Sequence, residues 1–328
     1  MGGDHGPSVT VEGAVLALER TSCDVVLVGD RAVLDPLLMQ YGPRSRRLTI
    51  AHASQVAGMH EKAAETLKKT DSSISVAMKL VKSGEADAVV SAGHTGAAVA
   101  SAIMTWRMIP GVRRPAIAWT IPAREKPAIL LDVGATVNCK PIHLYQFASM
   151  GSAFSEHIME IARPRVGLLT IGEESSKGND ETLRAGQMLA ESGLHFAGNA
   201  EGRDLVGNTF DVMVCDGFVG NIVLKFAEAM AQWLMAQIKG EVTKSALATL
   251  GALAMKPALQ NFRRRIDYSE YGGAPLLGPN GVCIICHGSS NAKAIANAVR
   301  VAGEMVKHEL IARIQETLRE NKVVQIAG

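Results

Sequence analysis

Five short segments concentrate residues that hold anions or polarise carbonyls. They are Ser91-Ala-Gly-His-Thr-Gly96, Asp132-Val-Gly-Ala-Thr-Val-Asn138, Gly172-Glu-Glu-Ser-Ser-Lys-Gly-Asn-Asp180, Asp216-Gly-Phe-Val-Gly-Asn221 and His287-Gly-Ser-Ser-Asn291. Each follows a short apolar run and precedes an amphipathic one, so each reads as a strand running into a helix N-terminus. Such junctions present unpaired N–H groups and partial positive charge, which bind phosphate-sized anions without many basic side chains. One Gly-Asn-Asp turn says little; five in series predict a shared polar site. Lys177 stands just before a helix that Asn179 or Asp180 can cap, where its charge would lie beside a held anion. It reads equally as a solvated loop lysine. His94 and His287 stand at strand ends, either as hydrogen-bonded turn histidines or as catalytic ones.

Other chemistries lack their residues. The sequence has no G-x-x-x-x-G-K-[ST] phosphate loop, no G-x-G-x-x-G after a strand and no G-x-S-x-G nucleophile elbow. These absences favour chemistry in which phosphate itself attacks. Cys283-Ile-Ile-Cys286-His287 matches the C-x-x-C-H haem-attachment spacing. In a buried strand, however, the two thiols would point in opposite directions. No second Cys/His pair has zinc-ligand spacing, so neither a metal nor a cofactor is expected. Cys139 and Cys215 read as small buried residues, with a catalytic thiolate at Cys139 as the weaker alternative.

The elements that position these segments follow from periodicity. Strands are predicted at 25–28, 47–51, 87–92, 116–121, 128–133, 166–171, 210–215 and 282–286. Helices are predicted at 32–39, 72–82, 97–107, 141–161, 180–192, 219–239 and as one long segment from 290 to about 321. Strands separated by helices need crossovers, which gives an α/β fold with a mainly parallel sheet covered on both faces. Across 328 residues, 47% are apolar and 20% charged, so a large core is expected. No repeat or long linker divides the chain, which reads as a single domain over 1–328, bilobal in one version. The net charge of +2 and 4% aromatic content suit neither phosphodiester neutralisation nor base stacking, so no nucleic-acid partner is expected. Five cysteines make no disulfide framework and no signal sequence opens the chain, so a cytoplasmic location is the default. The segment 242–266 breaks the alternation: Leu247, Leu250 and Leu253, then Leu259 and Phe262, lead into Arg263, Arg264 and Arg265. It reads either as a helical excursion packed on the body or a second subunit, or as a projecting hairpin resting in a membrane interface.

Taken in order, these stretches resemble the bacterial phosphate acyltransferases of phospholipid synthesis (PlsX). The resemblance runs through Met1–Pro7, Lys68–Ser73, Ser91–Ala97, Leu130–Gly151, Val166–Asp180, Gly198–Asp204, Val214–Asn221 and Gly272–Ser290, and so covers essentially the whole chain. It implies transfer of a fatty acyl group from acyl carrier protein to inorganic phosphate. The acyl phosphate product then feeds a membrane glycerol-3-phosphate acyltransferase. It also implies a fold similar to isocitrate/isopropylmalate dehydrogenases and phosphotransacetylases, a homodimer, and peripheral contact of the 242–266 hairpin with the inner face of the cell membrane. Lys177 and Asn221 are the expected catalytic donors. Asp4, Ser91, His94, Thr95, Gly96, Asp132, Asn138, Asn179, Asp180, Asp216, Gly217, His287, Gly288, Ser289 and Ser290 are the expected substrate- and phosphate-binding set. Within it, Asp132 and Asp216 would fix the donors.

Three positions depart from the family pattern: His94 replaces the usual asparagine, and Thr136 and Asn138 also differ. Family chains usually open with a short apolar strand ahead of the Met-Gly-Gly-Asp turn with which this chain begins; a longer native polypeptide is therefore expected. Three rivals share part of the evidence: a coenzyme A-dependent phosphotransacetylase, an NAD-dependent decarboxylating dehydrogenase and a non-catalytic carrier-protein scaffold.

Overall fold

The computed structural model describes residues 1–259, 262 and 268–321; the arginine run at 263–265 lies outside the described residues. Three groups of strands form. β1 (Val25–Gly29) and β2 (Leu48–His52) make a parallel pair. β3 (Ala88–Ser91), β11 (Val282–Ile285), β10 (Ala274–Leu277) and β4 (Ala116–Ile117) follow in spatial order. β5 (Trp119–Ile121), β6 (Ala128–Leu131), β9 (Val212–Val214), β7 (Val166–Leu169) and β8 (Phe196–Ala200) make the third group. β4 and β5 are halves of one ribbon, with Ala118 between them donating to the Pro275 carbonyl at 2.9 Å. One edge of that ribbon pairs with β10 and the other with β6, which joins the second and third groups.

The sheets are mainly parallel, as expected, with antiparallel pairings confined to β10 and this ribbon. β3 and β11 run parallel, as do β6, β9, β7 and β8. β10 is antiparallel to both β11 and β4, and β5 is antiparallel to β6. The β3/β11 pair therefore runs opposite in sense to the β6–β8 set. Runs such as Ala274–Leu277 are too short and too uniformly apolar for their sense to be read from periodicity.

Both faces of the sheet are covered. Ile129, Leu131, Val212, Val214 and Ile284 face one core with Leu144, Phe147 and Met150 of α6 (Pro141–His157). Leu130, Met213, Cys283 and Ile285 face the other, with Ala97, Ala98, Ala102 and Trp106 of α5 (Thr95–Trp106). Cys283 and Cys286 thus lie in different cores, as period two requires, and cannot jointly grip a haem. α6 is buried nearly all round, its polar His143, Gln146, Ser149, Ser152 and Ser155 included. The predicted terminal helix is broken into Ala292–Lys307 and Leu310–Glu320 by Glu309, which adopts a left-handed φ of 51°. Elements not anticipated include α1 (Gly6–Arg20), β8, β10 and a short helix at Ala63–Thr66.

Candidate functional site

The five polar junctions form at strand ends, but in two clusters. At the first, the Ser91 carbonyl accepts from the Cys286 N–H at 2.8 Å, bringing the exits of β3 and β11 side by side. His94 caps α5: its Nδ1 accepts from the Ala97 N–H at 3.0 Å, and Nε2 stands 2.7 Å from the Glu61 carbonyl. With Nδ1 accepting, Nε2 is the nitrogen placed to donate to the Glu61 carbonyl. Asn291 caps the Ala292–Lys307 helix through Ala294 at 2.9 Å. His287 Nδ1 lies 2.7 Å from the Ser289 hydroxyl, and Ser290 is buried beneath. The Asp4 N–H donates to the Gly288 carbonyl at 2.9 Å, so the N-terminal turn closes this cluster. A Cβ on Gly288 would come within 3.0 Å of both Asp4 carboxylate oxygens. The first turns of both capped helices carry no acidic residue, so their partial positive charge is left for an anion, with Thr95 and Gly96 at the mouth.

The second cluster lies at the exits of β6, β9 and β7. Asp132 is fully buried and accepts from four backbone N–H groups: Ile117 at 2.8 Å, Gly134 at 3.1 Å, Ala135 at 3.0 Å and Thr136 at 2.6 Å. Burial pushes its pKa up, opposed by those four donors. Its carboxylate is fully occupied by the loop it shapes. Asp216 caps α8 (Gly217–Val242), accepting from Phe218 and Val219 at 2.9 and 3.0 Å. Two glycines let that helix start against the Asp132 loop. A Cβ on Gly217 would lie 2.5 Å from Asp132 Oδ2, and one on Gly220 only 1.9 Å from the Asp132 carbonyl oxygen. This contact sets exposed Asn221 beside Gly134.

On neighbouring β7, the loop to α7 (Asp180–Ala190) carries Lys177, which is exposed and packs its stem on Gly172. Asn179 caps α7 through Thr182 at 2.9 Å. Asp180 and Glu181 occupy the first turn, so here the helix terminus is met by its own carboxylates and Lys177 supplies the free positive charge.

Nearby thiols are quiet. Burial, then Asp132 and Asp216, pushes Cys139 up to about 12, and burial holds Cys215 well above the usual thiol range. A thiolate nucleophile is therefore disfavoured at either position. Exposed Arg113, Arg114 and Lys140 surround His143, whose pKa is lowered by burial and then by those cations. This basic rim was not singled out in the sequence, because its residues come from two separated segments.

The two clusters leave opposite ends of the strand ladder. Asp132 sits beside Ile117, which pairs with Leu276, itself opposite Cys283 near the start of β11; His287 follows the end of β11. Among the described residues no hydrogen bond or ion pair joins His287 to Lys177 or Asn221. The expected convergence of all five junctions is thus replaced by two groups, because the antiparallel ribbon reverses strand sense between them.

Comparison with known proteins follows the same lines. A family model described as "Fatty acid synthesis protein" matches residues 1–313. A phosphate acyltransferase from Heliobacterium modesticaldum is 53% identical over 318 residues, 96% of this chain and 95% of that protein. One from Pelotomaculum thermopropionicum is 48% identical over 329 residues, covering 100% and 96%. In fold, the chain resembles a phosphotransacetylase from Streptococcus pyogenes, with a TM-score of 0.57, 17% identity and coverage of 96% and 92%. The EutD phosphotransacetylase from Staphylococcus aureus gives 0.53 at 13% identity, covering 91% and 99%. With its capped polar strand exits set on that fold, the chain belongs to the fatty acid synthesis protein family, among the phosphate acyltransferases.

Proposed function

We propose that the protein transfers a fatty acyl group from acyl carrier protein to inorganic phosphate, and that both reactants meet at the second cluster. Orthophosphate lies at the start of α8, whose first turn carries no acidic residue. The thioester carbonyl beside it takes hydrogen bonds from Lys177 and Asn221 as it becomes an oxyanion. A phosphate oxygen attacks the carbonyl carbon, the tetrahedral intermediate collapses and the carrier thiolate leaves, so acyl phosphate forms. The thiol is a good leaving group, so holding the reactants and stabilising the oxyanion supply the acceleration. Asp132 and Asp216 act indirectly, by fixing the loop and helix start that carry Asn221. The observation that carries this reading is that the Lys177 loop and the acid-free start of α8, which bears Asn221, follow the adjoining parallel strands β7 and β9.

The test is kinetic. Lys177→Ala is expected to lower kcat by about 10²–10³-fold, the usual cost of removing one oxyanion donor. Asp216→Ala, which releases the cap that fixes the start of α8, is expected to raise KM for phosphate with the carrier-protein KM unchanged. Normal turnover by the first variant, or an unchanged phosphate KM in the second, refutes the corresponding assignment. Phosphate-dependent consumption of acyl-CoA in preference to acyl carrier protein would favour the phosphotransacetylase reading instead.

Assembly belongs to the same proposal. α8 is 26 residues long, about 39 Å at 1.5 Å per residue. It exposes Phe218, Ile222, Phe226, Met230 and Trp233 along one stripe. That stripe suits a second copy of this chain in a homodimer. α9 (Ala246–Ala254) turns back on α8, Thr249 Oγ1 donating to the Val242 carbonyl at 3.2 Å, and exposes Leu247, Leu250 and Leu253. Leu259 and Phe262 are exposed beyond it. We read this tip as the peripheral membrane contact that hands acyl phosphate to the glycerol-3-phosphate acyltransferase. No helix among the described residues is long and apolar enough to cross a membrane. The acidic carrier protein docks on the basic rim of Arg113, Arg114 and Lys140, beside the second cluster.

A further inference from the structure

The motif Gly198-Asn-Ala-Glu-Gly-Arg-Asp204 bears neither of the oxyanion donors, yet it reaches the loop that carries one of them. It runs from the end of β8 into the 3-10 turn Gly202–Val206. β8 lies parallel to β7 with Asn199 level with Leu168, and the Thr170 N–H donates to the Ala200 carbonyl at 2.8 Å. Position 199 therefore stands beside the exit of β7, where the 170–179 loop begins. Asn199 Nδ2 donates to the Glu174 carbonyl at 2.7 Å and to the Lys177 carbonyl at 3.5 Å. Both neighbours are carbonyl oxygens, so the NH2 end of the amide is the end that fits, one hydrogen to each. Arg203 reaches the same loop through the Glu173 carboxylate at 2.6 Å and also pairs with Glu201 at 3.2 Å.

We propose that Asn199 is a positioning residue: by fixing the 174–177 turn it aims the Lys177 ammonium at the thioester carbonyl. The inference rests on Lys177 being an oxyanion donor. The loop is tied down at its two ends, by Thr170 Oγ1 donating to the Gly172 carbonyl at 2.8 Å and by Thr182 Oγ1 donating to the Asn179 carbonyl at 2.9 Å. Between them the Lys177 N–H closes a turn on the Glu174 carbonyl at 2.9 Å, and Gly178 follows with a φ of 124°. Among the described residues, Asn199 supplies the side-chain hydrogen bonds to the backbone of 173–178, and it grips both ends of that turn. Arg203 is the weaker hold. Its pair with Glu173 leaves the two side chains 66% and 63% exposed, and an exposed ion pair restrains little. It also acts on a side chain, whereas Asn199 acts on the backbone from which the lysine projects. A long flexible side chain presents its ammonium reproducibly only where its own backbone is held, and small misplacements of a donor cost rate.

The test pairs a loop readout with a kinetic one. Trypsin cuts between Lys177 and Gly178 when the loop opens, so the rate of that cut reads the clamp independently of turnover. Asn199→Ala is expected to speed the cut at least about fivefold and to lower kcat about tenfold, with Tm and the KM for phosphate nearly unchanged. Asn199→Asp keeps the shape but sets a carboxylate against two carbonyls. It should match Asn199→Ala at pH 8 and regain part of the loss as pH falls to about 5, where a protonated carboxyl donates again. That reversal within one chain guards against misfolding of the alanine variant. Arg203→Ala should stay within about twofold of the wild type in both readouts. In a Lys177→Ala background, Asn199→Ala should cost no further turnover. Unchanged cutting in Asn199→Ala overturns the clamp, whether or not Lys177 is catalytic. Faster cutting with the tenfold loss persisting in the Lys177→Ala background, or with wild-type kcat while Lys177→Ala is impaired, overturns the route through Lys177. Normal turnover by Lys177→Ala would strike the donor reading and the aiming with it, while the cutting rates still decide whether Asn199 holds the loop.

Discussion

Asp132 and Lys177 stand at opposite extremes of accessibility, and each does what its surroundings allow. Asp132 is sealed under four N–H donors and shapes a loop; Lys177 is exposed beyond an acid-filled helix start. Cys139 shows how burial silences a reactive side chain. Its thiol, pushed up to about 12 from an ordinary value near 9, stays protonated at neutral pH. We expect iodoacetamide at pH 8 to modify it far more slowly than a free thiol, and Cys139→Ser to keep full turnover; rapid alkylation with matching loss of activity would reinstate a thiolate mechanism. The sign of the pH effect follows. A folded-state pKa above the unfolded one gives stability that is whole below about pH 9 and is lost as pH rises toward 12. Alkaline unfolding should therefore begin at lower pH in the wild type than in Cys139→Ser.

At the scale of elements, the start of α8 against the Asp132 loop depends on close backbone approach. Neither Asp132 nor the helix backbone can retreat from a methyl placed 1.9 Å from a carbonyl oxygen. Gly220→Ala is expected to cost about 3 kcal/mol or more, read as a lowered urea midpoint with unchanged slope. A midpoint within error of the wild type would mean that the contact yields. The caps at His94, Asn179, Asp216 and Asn291 were legible in sequence as polar residues before amphipathic runs. β10 was not, because Ala-Pro-Leu-Leu carries no period and owes its place to pairing with β4 and β11.

For the whole molecule, the exposed stripe on α8 is the main unbalanced feature. Phe226 and Trp233 are 64% and 57% exposed, which is costly to leave in water when neighbours on the same face are also apolar. Changing both to aspartate is expected to convert a sedimenting dimer into a monomer; a wild-type chain that sediments as a monomer at micromolar concentration would remove the dimer reading. Likewise, Leu250→Glu with Leu253→Glu should abolish co-sedimentation with anionic phospholipid vesicles while leaving the α8 association intact.

Sequence alone determined the alternation of strands and helices, the identity of the polar junctions, and, through resemblance, the reaction class. Those depend on local periodicity, capping chemistry and ordered motifs, all of which are written along the chain. Tertiary structure decided how the junctions group. One antiparallel ribbon, 116–121, reverses the sense of β3 and β11 relative to β6, β9 and β7. It thereby parts the His287 cluster from the Lys177–Asn221 cluster. Strand sense is a property of pairing between distant segments, and so has no signature within any one of them.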